Sequence, residues 1–241
     1  MLSSIKINRH KCLNGLEINN LKRFNIFYGK YDIGKTSTIE GIMLILDVLH
    51  INYNISPYKR QFDTIKSSVK GVFNNNTICC ICDYDYHILE IESYRTVLLE
   101  HFEKVEKSDM LSEVISFFKE NINEDISNIA YIEPSLYIKY NDRNILLDKA
   151  GYGFQKMINI IFRLINSKNG VMLIDDIDGG LNKNLLREFI KFIYNIANKL
   201  NVQVFLTTKS KETIKIFANS GFCNNDISYN ILGKSSKVKT F

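Results

Sequence analysis

Residues 29–36 read Gly29-Lys30-Tyr31-Asp32-Ile33-Gly34-Lys35-Thr36, the pattern GxxxxGK[ST], and this stretch limits the possible folds more than any other. An apolar run, Phe24-Asn25-Ile26-Phe27-Tyr28, leads straight into Gly29. After Gly34, the residues Ile39, Ile42, Met43, Leu46 and Leu49 recur at helical spacing and mark one face of an amphipathic helix. Strand, glycine loop and helix in that order are the context a phosphate-binding loop requires. The glycines let backbone N–H groups turn inward around phosphate oxygens. Lys35 brings a point charge to the β- and γ-phosphates, and the Thr36 hydroxyl ligates Mg²⁺. The helix points its positive end at the same place. Without this flanking pattern, a glycine-containing turn would explain the loop as well.

A second element, Val171-Met172-Leu173-Ile174-Asp175-Asp176, is an apolar strand that ends in acid. Beside a phosphate loop, Asp175 would hold Mg²⁺ through water next to Thr36, and Asp176 would orient or deprotonate the attacking water. Lys35 and Asp175 lie 140 residues apart, too far for the arrangement of a small GTPase. About twenty residues before Asp175, Gly151-Tyr152-Gly153-Phe154-Gln155 opens a helix. A glycine-rich helix start suits a γ-phosphate reached from across a dimer interface. Gln155 is either a helix-surface residue or, by position, a neighbour of the phosphate end. After the acids comes Asp178-Gly179-Gly180-Leu181. A buried strand then ends in Thr207-Thr208-Lys209-Ser210, with Ser210 placed to cap the next helix.

The rest of the chain supplies the frame. Ile5/Ile7 and Leu16/Ile18 alternate about Asn14-Gly15, which reads as a hairpin turn. Residues 52–76 read as polar and irregular, and residues 77–92 as a hairpin turning near Tyr84 to Tyr86. Residues 94–128 read as helical, with Leu111, Val114, Ile115 and Phe118 on the apolar face. Leu136 to Tyr140 and Asn144 to Leu147 form a further hairpin around Asn141-Asp142. From residue 150 onward strands and helices alternate, which argues for parallel pairing. The expected fold is α/β: a P-loop core with a mainly parallel sheet, an antiparallel β portion, and a helical insertion at roughly residues 94–130. All of it is expected within one domain spanning residues 1–241.

Composition narrows the class. With 241 residues, 45% of them hydrophobic, the chain buries a full core and is too apolar for disorder. Apolar runs stop well short of the ~18 residues a membrane span needs. Met1 to Leu13 alternates instead of forming the apolar block of a signal peptide, so the expectation is a cytoplasmic protein without membrane contact. The net charge of +5 permits nucleic-acid contact without requiring it. Counts of 35 Ile, 27 Asn and 24 Lys point to an AT-rich coding sequence, so Lys234, Lys237 and Lys239 read as a solvated end rather than a DNA contact. Cys79, Cys80 and Cys82 lack a second pair at zinc spacing and read as strand residues.

Taken in order, these motifs resemble an ABC-type ATPase head of the RecF/SMC/OLD group, as in OLD-like "AAA family" proteins. The resemblance runs over nearly the whole length: the opening hairpin from Ile5 to Ile18, the loop from Gly29 to Ser37, a degenerate signature at Leu147 to Gln155, Asp175 to Leu181, and Phe205 to Ser210. It implies ATP and Mg²⁺ as cofactors. It also implies a nucleotide site that combines residues 29–37 (Lys30, Tyr31, Asp32, Ile33 and Ser37 included) and Asp175 of one chain with Gly151, Gly153 and Gln155 of a second copy. Lys35, Asp176 and Lys209 are the residues that would act on the γ-phosphate.

The departures from the family pattern bear on catalysis. Asp176 replaces a glutamate and its carboxylate is about 1.5 Å short. Lys209 replaces a histidine and can only donate. The signature serine is absent, with Asp148 and Lys149 nearby, and Lys11 stands where the family often has Arg. Gln61 is the one candidate between residues 50 and 76 for the family's Mg²⁺-sensing glutamine. The departures imply slow hydrolysis, or ATP used as a clamp. Three readings stay open: an ATP-dependent switch that drives or restrains a separate effector protein, as in anti-phage defence; a RecF-like DNA-repair ATPase; and a non-hydrolysing, nucleotide-dependent scaffold. A membrane-transporter ATPase fits the opening hairpin less well. The chain is short for the coiled coil of SMC proteins or the nuclease of full OLD proteins, so the resemblance implies a partner.

Overall fold

The computed structural model describes residues 1–48, 53–56, 65–73, 76–84, 94–233 and 238–240. In chain order the elements begin with β1 (Leu2–His10), β2 (Leu13–Ile18), β3 (Phe24–Tyr28), α1 (Lys35–Val48), β4 (Tyr53–Ser56), β5 (Ile65–Phe73) and β6 (Asn76–Tyr84). They continue with α2 (Tyr94–Glu106), α3 (Leu111–Asn121), β7 (Ile126–Ile132), β8 (Ser135–Tyr140) and β9 (Asn144–Leu146). The last are α4 (Tyr152–Ile165), β10 (Val171–Ile174), α5 (Lys183–Lys199), β11 (Gln203–Thr208), α6 (Lys211–Ala218), β12 (Ile227–Leu232) and β13 (Val238–Thr240).

The central sheet has the order β13-β12-β3-β11-β10-β4. Its pairs are parallel except for β13, which runs antiparallel at one edge. Every residue of β10 and β11 is buried, the pattern of parallel strands covered on both faces. Side chains alternate across this sheet. Met172, Ile174, Val204, Leu206, Phe24 and Ile26 enter one core with α2 to α6, while Val171, Leu173, Phe205 and Phe27 enter a second core with α1, β1 and β2. The α/β expectation is therefore met, with the sheet lying between two apolar layers. α5 shows why its segment becomes a helix: Leu186, Phe189, Ile190, Ile193 and Ala197 recur on one face and are buried against the sheet.

Two antiparallel sheets flank this frame, β2-β1-β5-β6 and β7-β8-β9. Several details differ from the sequence expectation. The opening hairpin turns at Lys11-Cys12 and not at Asn14-Gly15, because its register sets Ile5 opposite Ile18 and Ile7 opposite Leu16. Pairing four apolar side chains on one face outweighs the preference of Asn-Gly for a turn. Lys11 takes the positive φ (49°) that a two-residue loop demands. Residues 65–73, expected to be irregular, form β5 and pair with β6, so a hairpin spans 65–84, and the returning half of the hairpin expected over 77–92 falls on residues that are not described. Residues 85–93 lie outside the described residues, as does Gln61. Residues 53–56, also expected to be irregular, add a parallel edge strand beside β10.

The helical segment over 94–130 is two helices followed by a strand. Ser108 Oγ donates to the Val105 carbonyl (2.7 Å) just past the end of α2, and from Ile126 the chain pairs with β8. α2 and α3 place Leu98, Phe102, Val105, Phe117 and Phe118 in the main core rather than outside it.

Ser210 caps α6 as expected: its Oγ accepts from the backbone N–H of Glu212 (3.1 Å) and Thr213 (3.4 Å). Ser210→Ala is expected to lower stability by about 1 kcal/mol in urea titration. An unchanged midpoint would show that the cap contributes nothing.

Candidate functional site

The loop Gly29–Thr36 joins the carboxyl end of β3 to α1, at the edge where β10 and β11 also end. Ligands of open α/β sheets collect at this edge. Two positions in the loop have positive φ: Asp32 at 58° and Gly34 at 89°. Gly34 could not carry a side chain, since a Cβ would come 2.4 Å from Leu13 Cδ2 and 3.2 Å from Cys12 Sγ. Gly29 is closed in the same way by Ile33, whose Cδ1 would lie 1.8 Å from a Cβ there. The loop is thus wrapped from behind by the β1–β2 hairpin, and Lys30, Tyr31 and Asp32 are left on the surface. Lys35 folds back so that its Nζ donates to the Lys30 carbonyl (2.6 Å). Burial pushes the Lys35 ammonium below its ordinary pKa, against the pull of Asp175 and Asp176.

Thr36 and Asp175, which lie 139 residues apart, meet: the Thr36 hydroxyl donates to Asp175 Oδ2 (2.9 Å). The other carboxylate oxygen, Oδ1, accepts from the Thr207 hydroxyl. Thr207 Oγ1 in turn accepts from the backbone N–H of Asp176 (2.9 Å), and the Thr207 carbonyl accepts from Ile177 N–H (3.0 Å). Asp176 stands at a φ of 54°. Its carboxylate lies 3.6 Å from Lys209 Nζ, which also sits 5.2 Å from the centroid of the Tyr31 ring. Contact with Tyr31 first, and the charge of Asp176 second, hold Lys209 protonated more firmly than a free lysine. Asp178 accepts from the Thr208 hydroxyl (2.7 Å), which fastens the turn after the acids to the end of β11.

The structure thus brings together Lys35, Thr36, Asp175, Asp176 and Lys209, with Tyr31 at the rim. Gly151, Gly153 and Gln155 are placed elsewhere. Gly151 precedes α4 and faces open space. Gly153 packs on the turn after the acids, where a Cβ would come 2.6 Å from the Gly180 carbonyl oxygen. Gln155 spends its amide on the carbonyls of Asp148 (3.2 Å) and Ala150 (2.8 Å), holding its own loop. Ser37 lies on the buried side of α1, with its Oγ 3.6 Å from Cys12 Sγ.

Three features were not anticipated from the sequence. Thr207 links both acids to β11. Lys156, on α4, donates to the Asp176 carbonyl and to the Gly179 carbonyl (2.9 Å). Its only sequence signal is a lysine on a helix face otherwise occupied by Met157, Ile160 and Ile161. Third, Glu40 on α1 is buried and paired with His10 (3.1 Å) and Lys11 (2.6 Å). Lys11, which stands where the family often has Arg, directs its ammonium to this carboxylate.

The donor set fits a magnesium nucleotide. Thr36 and Asp175 offer one hydroxyl and one carboxylate, and Mg²⁺ is commonly held by one or two such oxygens while phosphates and water complete its shell. Lys35 and the N-terminus of α1 supply the positive field that phosphates need.

The chain matches the AAA ATPase domain family over residues 90–214. This segment contains Gly151–Gln155, Asp175–Leu181 and Phe205–Ser210, and it begins after the Gly29–Thr36 loop. No curated protein sequence matches the chain. Among solved structures, the chain is similar to an SMC head bound to the C-winged helix domain of ScpA (10% identity, TM-score 0.53, covering 100% of this chain and 98% of that one). It is similar to cbiO1 from Clostridium perfringens, part of the ABC transporter complex cbiONQ (13% identity, TM-score 0.52, 99% and 88%). An ATP-binding subunit of an ABC transporter aligns comparably (14% identity, TM-score 0.52, 100% and 90%). At these identities the likeness is one of fold.

The buried Glu40 pair braces the hairpin that closes the loop from behind. Removing one partner of a buried ion pair costs about 3 kcal/mol or more. Glu40→Ala is therefore expected to lower stability by about 3 kcal/mol in urea titration, whereas Glu17→Ala, which removes the exposed contact with Lys6, should leave it unchanged. Equal effects of the two variants would refute the bracing role.

Proposed function

The chain belongs to the AAA ATPase domain family, and from that premise we propose that it is a Mg²⁺-dependent ATPase, a single ABC-type head that binds ATP on the Gly29–Thr36 loop. The observation that carries this reading is the Thr36–Asp175 hydrogen bond, which joins a phosphate-loop hydroxyl to the acid ending β10. The backbone of residues 29–34 and Ser37 would surround the phosphates, Lys35 would exchange its bond with Lys30 for phosphate oxygens, and Thr36 and Asp175 would hold the metal. Bound Mg²⁺·ATP supplies the reacting phosphoryl group and neutralises part of its charge. Asp176 would then orient and deprotonate water. Lys209 would place its ammonium on the γ-phosphate and release Asp176, because one ammonium 3.6 Å from the carboxylate cannot serve both.

A head-to-tail pair fits the placement of the glycine-rich start of α4. Within one chain, Gly153 packs on Gly180 and Leu181 and Gln155 bonds the carbonyls of Asp148 and Ala150, while Gly151 faces open space, so a second copy can reach it. In this reading, ATP closes two copies around two nucleotides, and closure is passed to a separate effector protein. An OLD-like role in anti-phage defence follows from the motif order alone. One observation favours a second reading, a nucleotide-dependent scaffold: the short Asp176 side chain is engaged by Lys209. A RecF-like role would require DNA.

Steady-state ATP hydrolysis by the purified chain, with and without duplex DNA, tests these readings. Lys35→Ala should abolish nucleotide binding. Asp176→Asn should retain binding and cut kcat at least tenfold, about 1.4 kcal/mol in the barrier, while raising the ATP-bound dimer population. Turnover unaffected by Lys35→Ala would refute the site. Nucleotide binding with no turnover, unchanged by Asp176→Asn, would favour the scaffold, and stimulation by DNA would favour the repair role.

A further inference from the structure

Asp176 has a short side chain, so the placement of its backbone decides where its carboxylate points. That backbone is fastened from two sides. Thr207 of β11 accepts its N–H at 2.9 Å. Its carbonyl accepts from Gly179 N–H (3.0 Å) and from the ammonium of Lys156. The same ammonium reaches the Gly179 carbonyl at 2.9 Å, so one lysine spans both ends of the turn 176–179. Lys156 is 4% exposed, far below the usual exposure of a lysine. A buried charge costs free energy unless its donors are satisfied. Here the donors go to backbone carbonyls and not to a carboxylate, so the charge is used to shape a loop. The turn needs this support, since a non-glycine residue at a φ of 54° is held against a cost on the order of 1 kcal/mol or more.

We propose that Lys156 is a positioning residue for hydrolysis: by bridging the carbonyls of Asp176 and Gly179 it fixes the left-handed backbone of Asp176 and so aims the carboxylate at water. The proposal rests on the ATPase reading above. Burial also lowers the pKa of the ammonium, while Asp176, Asp178 and Asp175 oppose that shift and Lys209 adds to it.

The test pairs amide hydrogen exchange over residues 175–181 with nucleotide binding and turnover, for wild type, Lys156→Met and Lys156→Arg. Lys156→Met keeps most of the stem and removes the donors. It should speed exchange at residues 176–181 and lower kcat at least tenfold, while the dissociation constant for Mg²⁺·ATP stays within about threefold. Lys156→Arg restores two donors and should recover most of both losses. Should Lys156→Met fail to fold, Gly179→Ala approaches from the other side: its Cβ would lie 3.0 Å from Lys156 Nζ and 2.5 Å from Asp176 Oδ2, and it should give the same faster exchange and slower turnover. A folded Lys156→Met protein with unchanged exchange and unchanged kcat would overturn the proposal, as would a kcat loss that merely follows a loss of nucleotide binding. If the wild-type chain turns over no ATP, the ATPase reading fails on its own, and the exchange data still decide whether Lys156 orders the turn.

Discussion

The chain of hydrogen bonds from Thr36 through Asp175 to Thr207 is what the rest of the site depends on. It runs along the carboxyl edge of the central sheet and joins the first helical residues after the glycine loop to two adjacent parallel strands. Each link is possible only because β3, β11 and β10 lie side by side in that order, so that residues far apart in sequence end at one level. The sheet itself is fixed by its two-sided core, since shifting any strand by one residue would exchange the side chains facing α1 for those facing α4 and α5. Packing therefore sets register, and register sets the site.

Much of this frame was legible in the sequence. The glycine loop and the acid-ending strand carry strict local geometry, and Ser210 carries a capping signal confined to three residues. What stayed hidden depends on contacts between distant segments. β4 is four residues long, and β5 alternates too weakly to read as a strand until β1 and β6 pair with it. The Lys11-Cys12 turn was concealed by the stronger local signal of Asn14-Gly15, and apolar pairing across the hairpin overruled it. Glu40 and Lys156 looked like ordinary polar positions on helices. Their roles exist only because His10 is folded over α1 in one case and Gly179 is folded against α4 in the other.

The surface of the site carries its own tension. Lys35 and Lys209 each bind an oxygen of the protein itself, the Lys30 carbonyl and the Asp176 carboxylate. In the proposed reading both contacts would be exchanged when phosphate enters. A lysine makes such an exchange easily, because its ammonium is a point charge on a flexible stem and needs no fixed plane of approach. In the proposed reading the lysine at position 209 would act as an electrostatic device, pairing with Asp176 until a stronger anion draws it away.

The start of α4 and the turn after Asp176 form one mechanical unit. Tyr152 packs against Gly180, Gly153 against the Gly180 carbonyl, and Lys156 against Gly179, within a stretch of five residues on one side and two on the other. Gly180 takes a φ of 79°, and a Cβ there would come 2.5 Å from the Tyr152 ring, so the two segments pack closely at this point. In the proposed pair of chains, the start of α4 faces the partner's nucleotide while the turn carries the acid that acts on the chain's own. A force applied at Gly151–Gly153 by a closing partner would then reach Asp176 through contacts that are already formed, with no loop rearrangement in between. Coupling of this kind needs rigidity on the path and a movable element at its end. Here the movable element is the Asp176 side chain, with Lys209 as its alternative partner.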